Sequence, residues 1–351
     1  MSATPTFVLG GTGYVAGELL RLLALHPHLT VAGVLSESRA GTPIRETFGQ
    51  LQASYGEMLF CDRETLFDRF PAGRAALFSA APHGASASLV AESLARARDA
   101  GTELTVVDVS ADFRYADADA YQSVYGQAHG APQLLQSFDC AVPEHLAASD
   151  RPHIAHPGCF ATALLLATVP LVKLGFVKGD VHAAGITGST GSGRTPGPGT
   201  HHPERHSNLY AYKPLGHRHA PEVMGLCEAA TGTRPVLHFV PHSGPFARGI
   251  HVTVQAALNE AVHADDLRRA LQDFYADSEF VQVRDGTPRI KDVTGSNYCH
   301  LGVATDAGSV AIFAVIDNLV KGAAGGAVQW MNRQLGWPEG TGLAVPAVAW
   351  T

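Results

Sequence analysis

The stretch Thr6-Phe7-Val8-Leu9-Gly10-Gly11-Thr12-Gly13-Tyr14-Val15-Ala16-Gly17-Glu18-Leu19-Leu20 decides the fold. A short apolar run ends on Gly-Gly, and apolar residues then recur at helical spacing over residues 17–26. A buried strand, a glycine turn and an amphipathic helix in that order open a dinucleotide-binding βαβ unit. Gly11, Gly13 and Ala16 occupy the three critical spacings of the turn, with Gly10 before them and Gly17 after. Glycine permits the tight turn and lets backbone N–H groups approach a pyrophosphate, and the helix N-terminus adds partial positive charge. Gly10, Gly11, Thr12, Gly13, Tyr14 and Val15 are therefore the candidate cofactor loop. An ordinary strand–helix turn is the plain alternative.

Residues 29–35 (LTVAGVL) read as the second strand, and Ser36-Glu37-Ser38-Arg39 follows it. This is where a ribose-binding acid or a 2′-phosphate-binding arginine sits in such folds. Ser36, Ser38 and Arg39 favour NADP; Glu37 favours NAD. Residues 75–81 and 104–109 read as further strands, with a helix over 86–100 between them. Strands alternating with helices predict a parallel sheet, and the pattern runs to about residue 155.

Beyond it the character changes. Residues 159–175 form a long apolar helix interrupted by Pro170 and Lys173, too short to span a bilayer. Residues 185–199 (GITGSTGSGRTPGPG) read as a loop. Residues 236–240 and 250–258 read as strands of a second sheet, 265–275 as an amphipathic helix, 310–315 as a strand and 319–335 as a closing helix.

Composition narrows the function. Of 351 residues, 46% are hydrophobic, enough for a large core without a metal or disulfide staple. Lys and Arg number 25 against 32 Asp and Glu, a net charge of −7, so nothing points to nucleic acid. The five cysteines are widely spaced and form no CxxC, which suits a reducing cytoplasm rather than a disulfide framework. The beginning of the chain lacks the basic and apolar regions of a signal peptide. Eighteen histidines are the unusual entry. The cluster His201-His202-Pro203-Glu204-Arg205-His206 and the pair His217/His219 raise the question of zinc, but their spacing matches no standard metal pattern and no metal is expected.

His156-Pro157-Gly158-Cys159-Phe160-Ala161-Thr162 carries the chemistry. A cysteine opening a long helix has its thiolate stabilised by the helix N-terminus and becomes a candidate nucleophile. The other four cysteines read as small buried hydrophobes. A cysteine nucleophile needs a base, and His217-Arg218-His219, followed by Glu222, is the best candidate.

Nine ordered motifs together resemble the N-acetyl-γ-glutamyl-phosphate reductase family of the aspartate-semialdehyde-dehydrogenase-like superfamily: GGTGYVAGEL (10–19), APHG (81–84), VDVSADFR (107–114), AVPE (141–144), HPGCFATA (156–163), GSTGSGR (188–194), GHRHAPEV (216–223), PFARGIHVTV (245–254) and IDNLVKGAAGGA (316–327). The resemblance covers nearly the whole chain. It implies an α/β architecture: an N-terminal Rossmann-type NAD(P)-binding domain over 1–158, completed by 319–351, and a C-terminal α+β catalytic and oligomerisation domain over 159–318. It implies Cys159 as nucleophile, His217 as general base with His219 close behind, and Asn318, Ser192 and Gly193 beside the nicotinamide. Ser110, Arg114 and Glu222 are implied at the substrate end. It further implies NADP as cofactor, a small-molecule acyl phosphate as substrate, no nucleic-acid or membrane partner, and a homodimer or homotetramer. Many relatives carry an arginine pair where this chain reads Ser36-Glu37-Ser38. The sister enzyme that reduces a carrier-protein-bound α-aminoadipate phosphate in lysine biosynthesis is the alternative, and only there would a carrier protein be a partner.

Overall fold

The computed structural model describes residues 3–350, apart from the side chain of Lys178. The two chain ends of the expected domains, residues 1 and 351, lie outside that range. The chain divides into two compact units: one holds residues up to Ala141, Ala148–His156 and Ala324–Ala344, the other Val142–Ala147, Pro157–Ala323 and the residues from Val345 onward.

The first unit is built on six strands: β1 (Thr4–Leu9), β2 (Leu29–Val34), β3 (Gly73–Ser79), β4 (Thr102–Asp108), β5 (Phe138–Cys140) and β6 (His153–Ala155). Their order is β2-β1-β3-β4-β6-β5, and every neighbouring pair is parallel. Phe7–Leu9 and Ala75–Phe78 are fully buried, as strands covered on both faces require. From β2 the chain crosses back over β1 to reach β3, so the order reverses there. In such sheets ligands bind outside the carboxyl ends of the strands at this switch point. Helix α1 (Tyr14–Leu23) begins three residues earlier than the apolar spacing alone suggests, because Gly13 is its N-cap. Helix α2 (Ser86–Asp99) links β3 to β4.

A late helix, Gly325–Gln334, belongs to this unit. Buried Asn332 fixes it: its Oδ1 lies 2.9 Å from His26 Nε2, and its Nδ2 donates to the carbonyls of Glu339 (2.9 Å) and Thr341 (2.8 Å). The single helix expected over 319–335 is instead a π-helical turn, Val320–Ala324, followed by the α-helix. Residues 142–147, 157–158, 319–323 and those from Val345 on, placed with the first domain by the sequence, pack with the second unit, where Val348 N–H donates to Thr294 O at 3.0 Å.

The second unit is a seven-stranded mixed sheet: β7 (Val177–Thr187), β8 (Tyr210–Ala211), β9 (Val236–Ser243), β10 (Ile250–Leu258), β11 (Val281–Val283), β12 (Cys299–Thr305) and β13 (Ser309–Ile316), in the order β11-β12-β13-β10-β7-β9-β8. Alternate residues such as Val181, Phe239, Val252, Val254 and Ile312 are buried in one core with helix α3 (Cys159–Lys173). That helix is buried from Phe160 to Leu171, which is why its sequence is apolar all round.

Pro170 does not interrupt α3. Proline cannot donate to the carbonyl four residues back, and here the Tyr275 hydroxyl supplies that bond, donating to Leu166 O at 2.8 Å. Likewise residues 185–187, read as loop, belong to the eleven-residue strand β7. Gly185 is glycine because a Cβ there would lie 2.4 Å from Phe160 Cε1. Helix α4 (His219–Thr231) and helix α5 (Ala264–Phe274) complete the unit's longer helices.

Candidate active site

Cys159 is the first residue of α3, after the N-cap Gly158. Gly158 has no side chain to cap the helix. Glu222, in the first turn of α4, does so from outside: its Oε1 accepts the Gly158 N–H at 2.7 Å. Glu222 is buried. The next amides, from Cys159 on, are those a helix start leaves without intrahelical partners, so they are oriented donors beside the sulfur.

On the other flank, Gly322 in the π-helical turn abuts the nucleophile. A Cβ at Gly322 would lie 2.8 Å from Cys159 Cβ and 3.1 Å from its Cα. The backbone thus approaches as closely as only glycine allows.

His217 and His219 come together, with ring centroids 4.7 Å apart. Both stand edge-on to Phe160, the residue after Cys159, at 6.0 and 6.4 Å. His217 Nδ1 accepts the His219 backbone N–H at 3.2 Å, which leaves the ring proton on Nε2. Burial, then the charges of Arg218 and Lys213, push the His217 pKa down to about 4, so the ring is neutral at neutral pH. Tyr212 was not singled out from the sequence. Its ring packs against His217 at 5.6 Å, and burial followed by the charge of Cys159 raises its phenol far above the usual range.

Asn318 is nearly fully buried. Its Oδ1 accepts from Gly249 N–H at 2.7 Å and its Nδ2 donates to Thr190 Oγ1 at 3.0 Å. Thr190 lies in the turn Ser189–Ser192, and Gly193 follows with φ +84°. The turn is pinned by Ser189 N–H on Phe246 O (2.9 Å) and Thr190 N–H on Ala247 O (3.1 Å). Asn318 and the Ser192-Gly193 loop, far apart in sequence, are therefore neighbours. The adjacent Asp317 is fully buried and holds Gly295 N–H (2.6 Å), Leu319 N–H (2.8 Å) and Arg248 Nε (3.0 Å). Arg248, Asp317 and Thr190 are further residues the sequence did not single out. Their contacts join segments with no shared local pattern.

In the first unit, Gly10 follows β1 with φ +72°, and a Cβ there would lie 2.5 Å from Ala80 O. A Cβ at Gly11 would lie 2.5 Å from Val34 Cγ1. Only glycine fits either place. A Cβ at Gly13, by contrast, would meet nothing nearer than Gly10 O at 3.8 Å. The first turn of α1 holds no acidic residue and no side-chain cap. The loop thus presents helix N-terminal amides with no competing carboxylate, which fits a dinucleotide pyrophosphate. Past β2, Ser36 is buried, and Glu37–Arg39 forms a 3₁₀ turn.

Ser110 and Arg114 are held by hydrogen bonds within their own unit. Ser110 Oγ donates its proton to Asp108 Oδ2 at 2.7 Å, and Arg114 donates to the carbonyls of His156 (Nε, 3.0 Å) and Val109 (Nη2, 2.9 Å). Asp108 is a buried carboxylate also held by Ser86 Oγ at 2.7 Å; burial pushes its pKa up to about 6 against those two hydrogen bonds. Among the described residues no group of three or more His, Cys, Asp or Glu is arranged to hold a metal ion, and no helix is long and apolar enough to cross a membrane. In the histidine-rich segment it is Arg205 that is buried, donating to Ser243 Oγ and Gly244 O.

These two units match known families. Family models described as "Semialdehyde dehydrogenase, NAD binding domain" and "Semialdehyde dehydrogenase, dimerisation domain" match residues 6–150 and 159–318. Aspartate semialdehyde dehydrogenase II of Vibrio cholerae shares the fold, with a TM-score of 0.69 over 95% of this chain and 98% of its own at 16% identity. The Candida albicans aspartate semialdehyde dehydrogenase, solved with NADP, does so with a TM-score of 0.68 over 93% and 97% at 15% identity. Fold and site define a semialdehyde-dehydrogenase-type protein, with a NAD-binding unit and a dimerisation unit that carries the cysteine and both histidines. Two relatives named N-acetyl-gamma-glutamyl-phosphate reductase narrow this. The protein of Ectopseudomonas mendocina is 39% identical over 97% of this chain and 98% of its own, and that of Staphylococcus saprophyticus 35% over 96% of each. The chain belongs to the N-acetyl-gamma-glutamyl-phosphate reductase family.

Proposed function

We propose that this protein is the NADP-dependent reductase that converts N-acetyl-γ-glutamyl phosphate to N-acetylglutamate 5-semialdehyde and phosphate, a step of arginine biosynthesis. The observation that carries the reading is Cys159 at the start of α3, with the His217/His219 pair seated on the next residue, Phe160.

The Cys159 thiolate attacks the acyl-phosphate carbonyl; the carbon–oxygen bond to phosphate breaks and a thioester forms on Sγ. Negative charge on the carbonyl oxygen is met by the backbone N–H groups at the helix start. Gly10–Val15, with Ser36, Ser38 and Arg39, would hold NADPH, which would supply the hydride. The resulting tetrahedral oxyanion on Cys159 collapses, the carbon–sulfur bond breaks, and aldehyde and thiolate are released. His217, neutral with its proton on Nε2, stabilises that oxygen as a donor and exchanges its proton as the charge develops; His219 fixes the ring through its own N–H. Asn318, Ser192 and Gly193 would border the nicotinamide. Arg114 is the guanidinium at the substrate end, while Ser110 and Glu222 act through Asp108 and Gly158. The protein works as a homo-oligomer through residues 159–318, on a small-molecule substrate, in the cytoplasm.

The reverse reaction tests this. Phosphate-dependent oxidation of N-acetylglutamate semialdehyde with NADP, set beside carrier-linked α-aminoadipate semialdehyde, should favour the former by orders of magnitude in kcat/KM. Faster turnover of the carrier-linked compound would overturn the reading.

A further inference from the structure

The loop after β2 sets two opposing cofactor signals side by side. Glu37 stands where a dinucleotide-binding fold places the acid that accepts from the ribose 2′-hydroxyl. Arg39, two residues on, is exposed and suits a 2′-phosphate. A carboxylate and a 2′-phosphate at one ribose repel each other, so one of the two signals must be silenced.

The structure supplies the silencer from a different segment. Arg63 Nε lies 3.3 Å from Glu37 Oε1, while Arg63 Nη1 reaches Glu92 Oε2 at 3.0 Å. Arg63 opens the short helix Arg63–Phe67. The residues just before it run beside the end of β2: Leu35 bridges to Cys61, and Ser36 N–H donates to Cys61 O at 3.0 Å. Arg63 is therefore fixed next to the ribose end of the loop by backbone pairing, not by its own side chain. The Arg63 and Glu37 side chains are 43% and 56% exposed, so a ligand can reach both. Exposed pairs of this kind add little to stability, and the turn is already held by Arg39 N–H on Ser36 O at 3.2 Å. The pair's consequence is electrostatic: it offsets the Glu37 charge on the loop that carries Arg39 and leaves a guanidinium exposed there.

We propose that Arg63 is a specificity-determining residue that selects a 2′-phosphorylated dinucleotide, by occupying Glu37 and sharing the phosphate with Arg39. This rests on the NADP reading above.

The test is direct binding of NADPH and of NADH to the full-length protein by titration calorimetry, with no substrate present. Wild type should bind NADPH at least tenfold more tightly than NADH. Arg63→Ala should weaken NADPH by about tenfold or more, the scale of one charge-assisted contact, and leave NADH as tight or tighter. Glu37→Gln placed on Arg63→Ala should restore part of the NADPH affinity, because the exposed carboxylate is then gone. A Kd ratio unchanged within about twofold in Arg63→Ala, or an equal loss for both cofactors, overturns the role of Arg63. Wild type that binds both cofactors equally overturns the NADP reading itself, an outcome visible before any substitution is made.

Discussion

Glu222 Oε1 accepts the backbone N–H of Gly158 at 2.7 Å, so a carboxylate from α4 caps the helix whose first residue is Cys159. Sixty-four positions separate the two. The contact ties the histidine-bearing helix to the nucleophile-bearing one.

Removing that acceptor should be felt as stability. Glu222→Ala leaves a buried N–H without its bond, at a cost of about 1–3 kcal/mol. Glu222→Gln keeps an oxygen in place and should cost much less. Thermal unfolding of the two variants separates them; equal losses would mean that the hydrogen bond is not what Glu222 supplies.

Gly322→Ala should damage catalysis more than folding. The new methyl would fall 2.8 Å from Cys159 Cβ, and neither backbone can yield without moving the sulfur or the π-helical turn. A displacement of about 1 Å can cost on the order of 10²-fold in rate. Steady-state kinetics should show kcat falling by that order while NADPH binding is unchanged. A variant with wild-type kcat would show that the close approach is irrelevant to the chemistry.

The pH dependence should differ between the two units. In the second unit, burial holds both His145 and His217 down to about 4, and lowers His251 and His300 as well. Each binds a proton in the unfolded chain near pH 6.5 that it refuses when folded, so stability falls as pH drops from about 6.5 toward 4. In the first unit His153, also held to about 4, and His26 act the same way, but Asp108, raised to about 6, acts oppositely. Folded Asp108 keeps a proton that the unfolded chain releases, so its contribution grows as pH drops from about 6 toward 4. Hydrogen exchange at pH 5 should therefore show β10 and β13 losing more protection relative to pH 7.5 than β1 and β3. The reverse order would contradict these assignments.

A buried ion pair gives a further prediction. Lys321 Nζ lies 2.6 Å from Glu144 Oε1, with side chains 0% and 2% exposed. Lys321→Met should destabilise by about 3–5 kcal/mol because it strands a buried carboxylate, and adding Glu144→Leu should recover most of that loss. Chemical denaturation of the single and double variants checks it. Additive losses would rule out the pairing.

Much of the first unit was legible because a parallel sheet covered on both faces writes itself as apolar runs punctuated by glycine. The strand at 29–35 and the helix at 86–100 fell within a residue or two of their observed bounds. The expected strand over 250–258 coincides with β10. The misses share one cause. Pro170 reads as a breaker, and only the distant Tyr275 hydroxyl makes it harmless. Gly185 reads as loop, and only the Phe160 ring makes it strand. At the site, residue types were readable where local context gives them chemistry: Cys159 at a helix start, two histidines one residue apart. Glu222 on Gly158 and Gly322 on Cys159 are set by tertiary contact, and no local pattern announces them.

A thioester on Cys159 is read out by intact-protein and peptide mass spectrometry after incubation with N-acetyl-γ-glutamyl phosphate and no cofactor. The protein should gain the mass of one N-acetylglutamyl group, mapped to Cys159 and lost on addition of NADPH. No adduct, or one that maps to any other residue, would contradict it.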